Sequence, residues 1–241
     1  MTPSGSIRRQ VRAVLEGPGT TMNLARARES LASLPPPALV RALLAALSAS
    51  APLVRWRAVG LLGPLVAGLA EQDPETGREV LRRLMWTLNE ESGAMGWGAP
   101  EAFGEILHHS PLLAREFANI LVSYVSPCAN QLDHPALLAG AIWGLGRLAQ
   151  TQPELARACG APEAVRALLD HPDPGVAGVA AWALGWLGGA EARGALLARL
   201  GDRRELDFPD GEAVQSVSVG QLAQSSLARL KTSGPEPKKA P

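Results

Sequence analysis

Val176–Leu187 reads VAGVAAWALGWL, and four other segments of the chain repeat its design. They are Val54–Leu65 (VRWRAVGLLGPL), Met95–Ile106 (MGWGAPEAFGEI), Leu137–Leu148 (LLAGAIWGLGRL) and Val219–Leu230 (VGQLAQSSLARL). Their starts lie 41, 42, 39 and 43 residues apart. The fifth position is alanine in all five (Ala58, Ala99, Ala141, Ala180, Ala223). The tenth is glycine in four (Gly63, Gly104, Gly146, Gly185) and Ala228 in the last, while the first and twelfth are large aliphatics or Met. A period near 40 with small residues at fixed places marks stacked helix pairs, in which neighbouring helices approach too closely for bulky side chains.

Working outward, each segment follows a partner helix, over Ala38–Ala49, Glu75–Leu88, Leu112–Val125, Pro162–Leu169 and Ala190–Leu200. Prolines mark the joins, at Pro52, Pro74, Pro111, Pro135 and the His171-Pro172-Asp173-Pro174 turn, because proline suits a helix start and not its interior. Ahead of the repeats, residues 1–6 read as a loose arm. Ile7–Glu16 reads as a short helix, and Asn23–Ser33 as a second with Asn23 as N-cap. The domain reading is therefore an N-terminal arm with capping helices over residues 1–36, a repeat domain over 37–231, and a disordered tail over 232–241. Gly201–Ala213 (GDRRELDFPDGEA) reads as the longest loop within a repeat.

Composition agrees with an all-α fold. The 241 residues are 46% hydrophobic but only 4% aromatic, an Ala/Leu/Val mixture that favours helices over strands. Six Trp stand out in so aromatic-poor a chain. The formal net charge is zero, so no overall field steers the chain to nucleic acid or anionic membranes. The uncharged runs Phe117–Leu132 and Gly175–Ala190 are 16 residues each, short of the ~18–20 that span a bilayer. No apolar run follows Arg8-Arg9 as in a signal peptide, and the expected setting is soluble and cytoplasmic. Cys128 and Cys159 have no motif spacing and read as lone buried thiols.

The stretches Ala180–Gly188 (AAWALGWLG) and Ala141–Ala149 (AIWGLGRLA) resemble the HEAT-repeat superfamily, in particular the bacterial HEAT-like repeats of phycobilin lyases. The resemblance covers about Ala38–Leu230. It implies an α-α superhelix, a HEAT-like solenoid of about five helix pairs, and it leaves function open because such scaffolds bind many things.

A helix advances 100° per residue. Positions 1, 5, 8 and 12 of each segment thus share a core face, and positions 3, 7, 11 and 14 the opposite one. In a HEAT-like stack that second face is concave. It collects Trp56; Trp97, Glu101, Glu105 and His108; Trp143 and Arg147; Trp182 and Trp186; and Arg229. The tryptophans either plug gaps left by Ala and Gly between helices or wall a groove with an acidic centre. In the second case their rings supply contact area and π faces for a cationic partner.

The second segment departs from the pattern at Pro100. Mid-helix, it would cost ~3 kcal/mol, so the expectation is a helix that starts late, with Pro100 at its first helical position and Asn89–Ala99 as a glycine-rich loop in front. Glu101 then sits where the helix dipole favours a carboxylate. The motif Met85, Trp86, Leu88, Asn89, Glu91, Ser92, Gly93, Trp97, Gly98, Pro100, Glu101, Gly104 and Glu105 resembles a small uncharacterised bacterial HEAT-like family. That family offers no catalytic residues to carry over. Glu105-x-x-His108 is half of a carboxylate-bridged di-iron pattern whose other half is missing, so no metal is expected. Glu105 and Arg147 occupy equivalent places on adjacent repeats and are expected to pair.

No phosphate loop, nucleophile elbow or matched catalytic dyad is present, and no basic stripe with aromatics. The reading is a non-enzymatic scaffold or adaptor without a cofactor. Its concave face binds a protein or peptide segment, basic in character, and neither nucleic acid nor membrane. The site residues are Trp97, Glu101, Glu105, Trp143, Arg147, Trp182 and Trp186. The alternatives are a lyase- or chaperone-like factor holding a cofactor or its apoprotein, and a purely structural subunit.

Overall fold

The computed structural model describes residues 3–17, 23–89, 96–189, 191–210 and 213–232. They form thirteen helices and one β-hairpin. The inner layer stacks α4 (Pro52–Gln72), α6 (Ala99–His109), α8 (Pro135–Thr151), α11 (Pro174–Leu187) and α13 (Val219–Thr232), each packed on the next. The outer layer holds α3 (Pro36–Ala46), α5 (Pro74–Leu88), α7 (Pro111–Ser123), the short pair α9 (Pro153–Ala158) and α10 (Ala161–Arg166), and α12 (Ala192–Leu197). The all-α solenoid read from the 40-residue period is the fold observed, with the hairpin as its one addition.

Proline opens most of these helices, as the sequence pattern requires: α3, α4, α5, α7, α8, α9 and α11 all carry it at the first turn. The small-residue row does the expected packing. The missing side chain of Gly104 lets its backbone meet that of Gly144, and Gly146 makes the socket for the Trp182 ring. A methyl group at either place would collide with the neighbouring repeat. The core is one continuous sheath of Ala, Leu and Val running through both layers, with Phe103, Ile106 and Leu121 fully buried in it.

At the N-terminus α1 (Pro3–Leu15) and α2 (Leu24–Leu31) pack on α3 and α4. Helix begins at Pro3, so most of the stretch read as a loose arm is helical. Arg57, only 4% exposed, ties α1 to α4 by donating to the carbonyls of Leu15 and Gly17 at 2.6 and 3.0 Å. Of the tail read as disordered over 232–241, Thr232 ends α13 and residues 233–241 lie outside the described residues, as do Glu91, Ser92 and Gly93 of the motif. Both cysteines are free; Cys128 is exposed rather than buried, and Cys159 is half-buried.

One helix among the described residues, α4, is long and apolar enough to cross a membrane, and just over half of that stretch is buried inside the solenoid. The largest departure from expectation is at 201–218. Glu205–Asp210 (β1) and Ala213–Ser218 (β2) pair antiparallel, with Leu206 opposite Val217 and Phe208 opposite Gln215. The hairpin lies against α11 through β1 and reaches α4 and α13 through β2.

Candidate functional site

The inner helices present their aromatic residues in a row. The Trp56 and Trp143 ring centroids lie 4.9 Å apart at 59°, Trp143 and Trp182 stack at 6.3 Å and 10°, and Phe208 of the hairpin closes the row at 5.4 Å from Trp182. Trp143 and Trp182 are buried, whereas Trp56 and Trp186 keep partly exposed faces. Arg147 lies over the Trp143 ring at 5.7 Å and Arg229 over the Trp186 ring at 4.0 Å. The row borders two cavities that share Trp56, Trp143 and Pro209. One, about 320 Å³, is lined by Glu105, Arg147, Trp182, Trp186 and Arg229. The other, about 260 Å³, is lined by Arg55, Glu101, Gly140, Asp173, Leu206 and Asp207.

The hairpin is what divides them. Leu206 packs into the space left by Gly178, and Phe208 is buried against Trp182. Arg204 fixes its base by donating to the carbonyls of His171 and Pro172 at 2.9 and 3.0 Å and pairing with Asp202 at 2.7 Å. The sequence reading missed these residues. Two signals were available: the alternation of Leu206 and Phe208 with Glu205 and Asp207, and the Asp210-Gly211 dipeptide ahead of a Val-rich run, a strong hairpin cue.

Helix α6 supplies the two carboxylates. Gly98, with φ of 72°, takes the left-handed conformation at its N-cap, and Pro100 falls in the first turn. The late start expected from Pro100 forms, but one residue earlier, at Ala99, so Pro100 is the second helical residue; of the loop read over Asn89–Ala99, residues 90–95 lie outside the described residues. Glu105, 5% exposed, receives two bonds from Arg147, Nε to Oε2 at 2.6 Å and Nη2 to Oε1 at 2.9 Å, and one from His109 Nε2 at 3.2 Å. Burial pushes its carboxyl up, but the His109 and Arg147 bonds and the Arg147 charge outweigh burial and hold it down at about 2. Arg147 also bonds Gln150, and His108 Nδ1 donates to the Arg147 carbonyl at 2.8 Å. The expected pairing of Glu105 with Arg147 is thus formed, with both histidines arranged around it. Among the described residues no group of three or more His, Cys, Asp or Glu is placed to hold a metal ion.

Glu101 meets different surroundings. Its carboxylate lies against Gly140, where a methyl group would sit 2.6 Å from its Cδ. Oε2 is buried and has no hydrogen-bond partner. Burial raises its carboxyl to about 7, against the weaker opposing pull of its own backbone amide and the Arg55 charge.

Of the residues read as a site, Glu105, Trp143, Arg147, Trp182 and Trp186 line one cavity and Glu101 the adjoining one. Trp97 lines neither. It precedes the late-starting helix, so helical periodicity does not apply to it, and its ring packs edge-on against His134 at 5.2 Å.

Two stacked layers of helices recurring about every 40 residues define the class: an α-helical repeat solenoid. Residues 125–216 match the family model for HEAT repeats, so the HEAT-like resemblance is borne out there. An uncharacterised protein of Archaeoglobus fulgidus is 33% identical over 98 residues, 41% of this chain and 47% of its own, so the match spans about half of that protein. A designed armadillo repeat protein superposes with a TM-score of 0.51 at 17% identity, covering 94% of this chain and 92% of its own. A second, in complex with the peptide (KR)4, gives 0.51 at 18% identity over the same shares. At these identities the structural likeness concerns the fold.

Proposed function

We propose that this chain is a non-enzymatic scaffold or adaptor of the cytoplasm whose concave face holds a basic segment of a protein partner. The observation that carries the reading is the aromatic row Trp56–Trp143–Trp182–Phe208, bordered by two cavities that the protein's own side chains leave unfilled. Trp supplies large, stiff contact area at low entropic cost, and partly exposed rings beside a cavity suit a binding hot spot better than gap-filling alone. Glu101, Glu105, Trp143, Arg147, Trp182 and Trp186 are the residues we assign to the site, with Trp56 and Phe208 added and Trp97 set aside. A structural neighbour that holds the peptide (KR)4 supports a basic peptide as the occupant.

The test is an array of 12-residue peptides rich in Lys and Arg, each beside a charge-swapped counterpart with Asp and Glu, probed with the full-length protein. Basic peptides are expected to be retained and their counterparts not, and Trp56→Ala with Trp186→Ala is expected to cut retention at least tenfold. Equal retention of both sets, or retention unaffected by the two substitutions, overturns the reading.

A further inference from the structure

We infer that the β-hairpin is a strap: it lies in the groove in the partner's absence and lifts from Gly178 and Trp182 when a partner segment takes its course. This rests on the groove being a protein-binding surface and concerns how access to it is governed. The ribbon crosses the inner face from the last repeat towards the first. Arg204 holds its base on the His171 and Pro172 carbonyls, and Leu206 and Phe208 sit on α11. Val214 lines the smaller cavity together with Pro52, Arg55 and Trp56 of α4. An extended segment laid along the inner helices follows the same line. With the ribbon down, the groove is split into spaces of about 260 and 320 Å³, the scale of the smallest small-molecule sites, ~300 Å³, and not of an extended segment.

The ribbon is lightly held, and the floor beneath does not depend on it. Among the described residues of the two strands, Leu206 and Phe208 are the buried side chains, while Gln215 and Ser216 are exposed. A two-stranded ribbon is marginal by itself, and segments with few buried contacts open first. Its neck is separate from the part that lifts. The Val219 N–H donates to the Arg204 carbonyl at 3.0 Å and the Gly220 N–H to the Asp202 carbonyl at 2.9 Å, so the chain stays closed there when the strands rise. Below, Trp182 is stacked on Trp143, and the socket that takes Leu206 exists because Gly178 of α11 has no side chain. Both belong to the helices and stay in place. Phe208, counted with the site, is then the side chain that covers Trp182 until a partner replaces it.

The first test is native-state hydrogen exchange on the full-length protein. With Val219 bonded to Arg204, the register makes Leu206–Val217 and Phe208–Gln215 hydrogen-bonded pairs of the ladder,, so their amides report the ribbon. They are expected to exchange at least a hundredfold faster than those of Ala141 and Ala180, at a rate that low denaturant leaves unchanged. Ribbon amides that exchange only in step with α11 overturn the strap. The second test locks it. Leu206 Cγ lies 3.3 Å from where a Gly178 Cβ would sit, within reach of a disulfide. Leu206→Cys with Gly178→Cys, in a Cys128→Ser background, is expected to retain basic peptides on the array at least tenfold less when oxidised than when reduced. Equal retention in the two states removes the strap and leaves the groove. Leu206→Ser with Phe208→Ser frees the ribbon and should raise retention at least threefold; a fall or no change means a fixed wall. If no variant retains basic peptides, the broader reading falls and hydrogen exchange still decides the strap.

Discussion

Glu101 and Glu105 leave one helix a single turn apart, face the same groove and meet opposite treatment. Glu105 is gripped by an arginine from the next repeat and a histidine from its own helix, and its carboxyl falls to about 2. For Glu101 burial outweighs the pull of its own backbone amide and of the Arg55 charge and lifts it to about 7. The difference separates two uses of a buried carboxylate. One is a finished internal bond that ties α6 to α8. The other is a buried polar atom left without a hydrogen-bond partner, at a cost to the folded protein,.

The largest effect should come from breaking the finished side. Arg147→Ala leaves the Glu105 charge buried with only His109, and we expect a loss of about 3 kcal/mol at pH 7 in chemical denaturation. Glu105→Leu with Arg147→Met removes both charges together and should recover most of that loss. The sign of the pH dependence follows from the lowered carboxyl. Its contribution is complete above the unfolded value near 4.5 and disappears as pH falls towards about 2,. The gap between wild type and Arg147→Ala should therefore close over that window. A gap that persists at pH 2 would mean Arg147 stabilises by packing alone.

The open side predicts the opposite sign. Glu101 titrates higher folded than unfolded, so the folded state holds the extra proton and stability declines as pH rises from about 4.5 to about 7,. At ~1.36 kcal/mol per pH unit the ceiling is about 3 kcal/mol; contact of the side chain with solvent reduces the expectation to about 2 kcal/mol. Glu101→Gln should match wild type at pH 4.5 and be more stable by that amount at pH 8. A variant less stable than wild type at pH 8 would show that the Glu101 charge is already compensated.

How much of this was legible follows from the range over which each feature is encoded. The solenoid, its proline starts and the glycine sockets are local or recur every 40 residues, so Gly104, Gly146 and Pro100 could be read directly. Positional equivalence sufficed for the Glu105–Arg147 pair, because adjacent repeats repeat each other's geometry. Trp97 misled because the register was carried across Gly98, whose left-handed conformation ends the helical phase. The isolation of Glu101 was beyond reach. It depends on Gly140 from the next repeat, and its cavity is closed by Leu206 and Pro209 from a hairpin about a hundred residues away. That hairpin was read as a loop because its few alternating residues sit among charges.

Two glycines sharpen the comparison at smaller magnitude. A methyl group at Gly63 would meet Glu105 Cγ at 2.6 Å and the Glu105 carbonyl at 2.9 Å, and neither can give way while Arg147 and the helix hold them. At Gly140 the obstacle is the unanchored end of Glu101. Alanine gains up to about 1 kcal/mol in helix propensity at both positions, against about 1–3 kcal/mol for overpacking. Gly63→Ala should therefore destabilise by about 1–2 kcal/mol and Gly140→Ala by less than about 1 kcal/mol. Equal costs at the two positions would mean that the two carboxylates are equally fixed.

The smallest effect belongs to Trp97. Helical spacing grouped it with the groove tryptophans, yet it lies ahead of α6 and packs on His134 at the turn into α8. Its loss should act on that turn, through the area an indole buries, and not on either cavity. We expect Trp97→Ala to change retention on the peptide array by less than twofold, even where it lowers the melting temperature, while Trp186→Ala lowers retention with the fold intact. A Trp97→Ala protein that keeps its helical content but loses basic peptides would extend the groove around the start of α6, and the division between a finished and an open carboxylate would then have to include the turn that precedes them both.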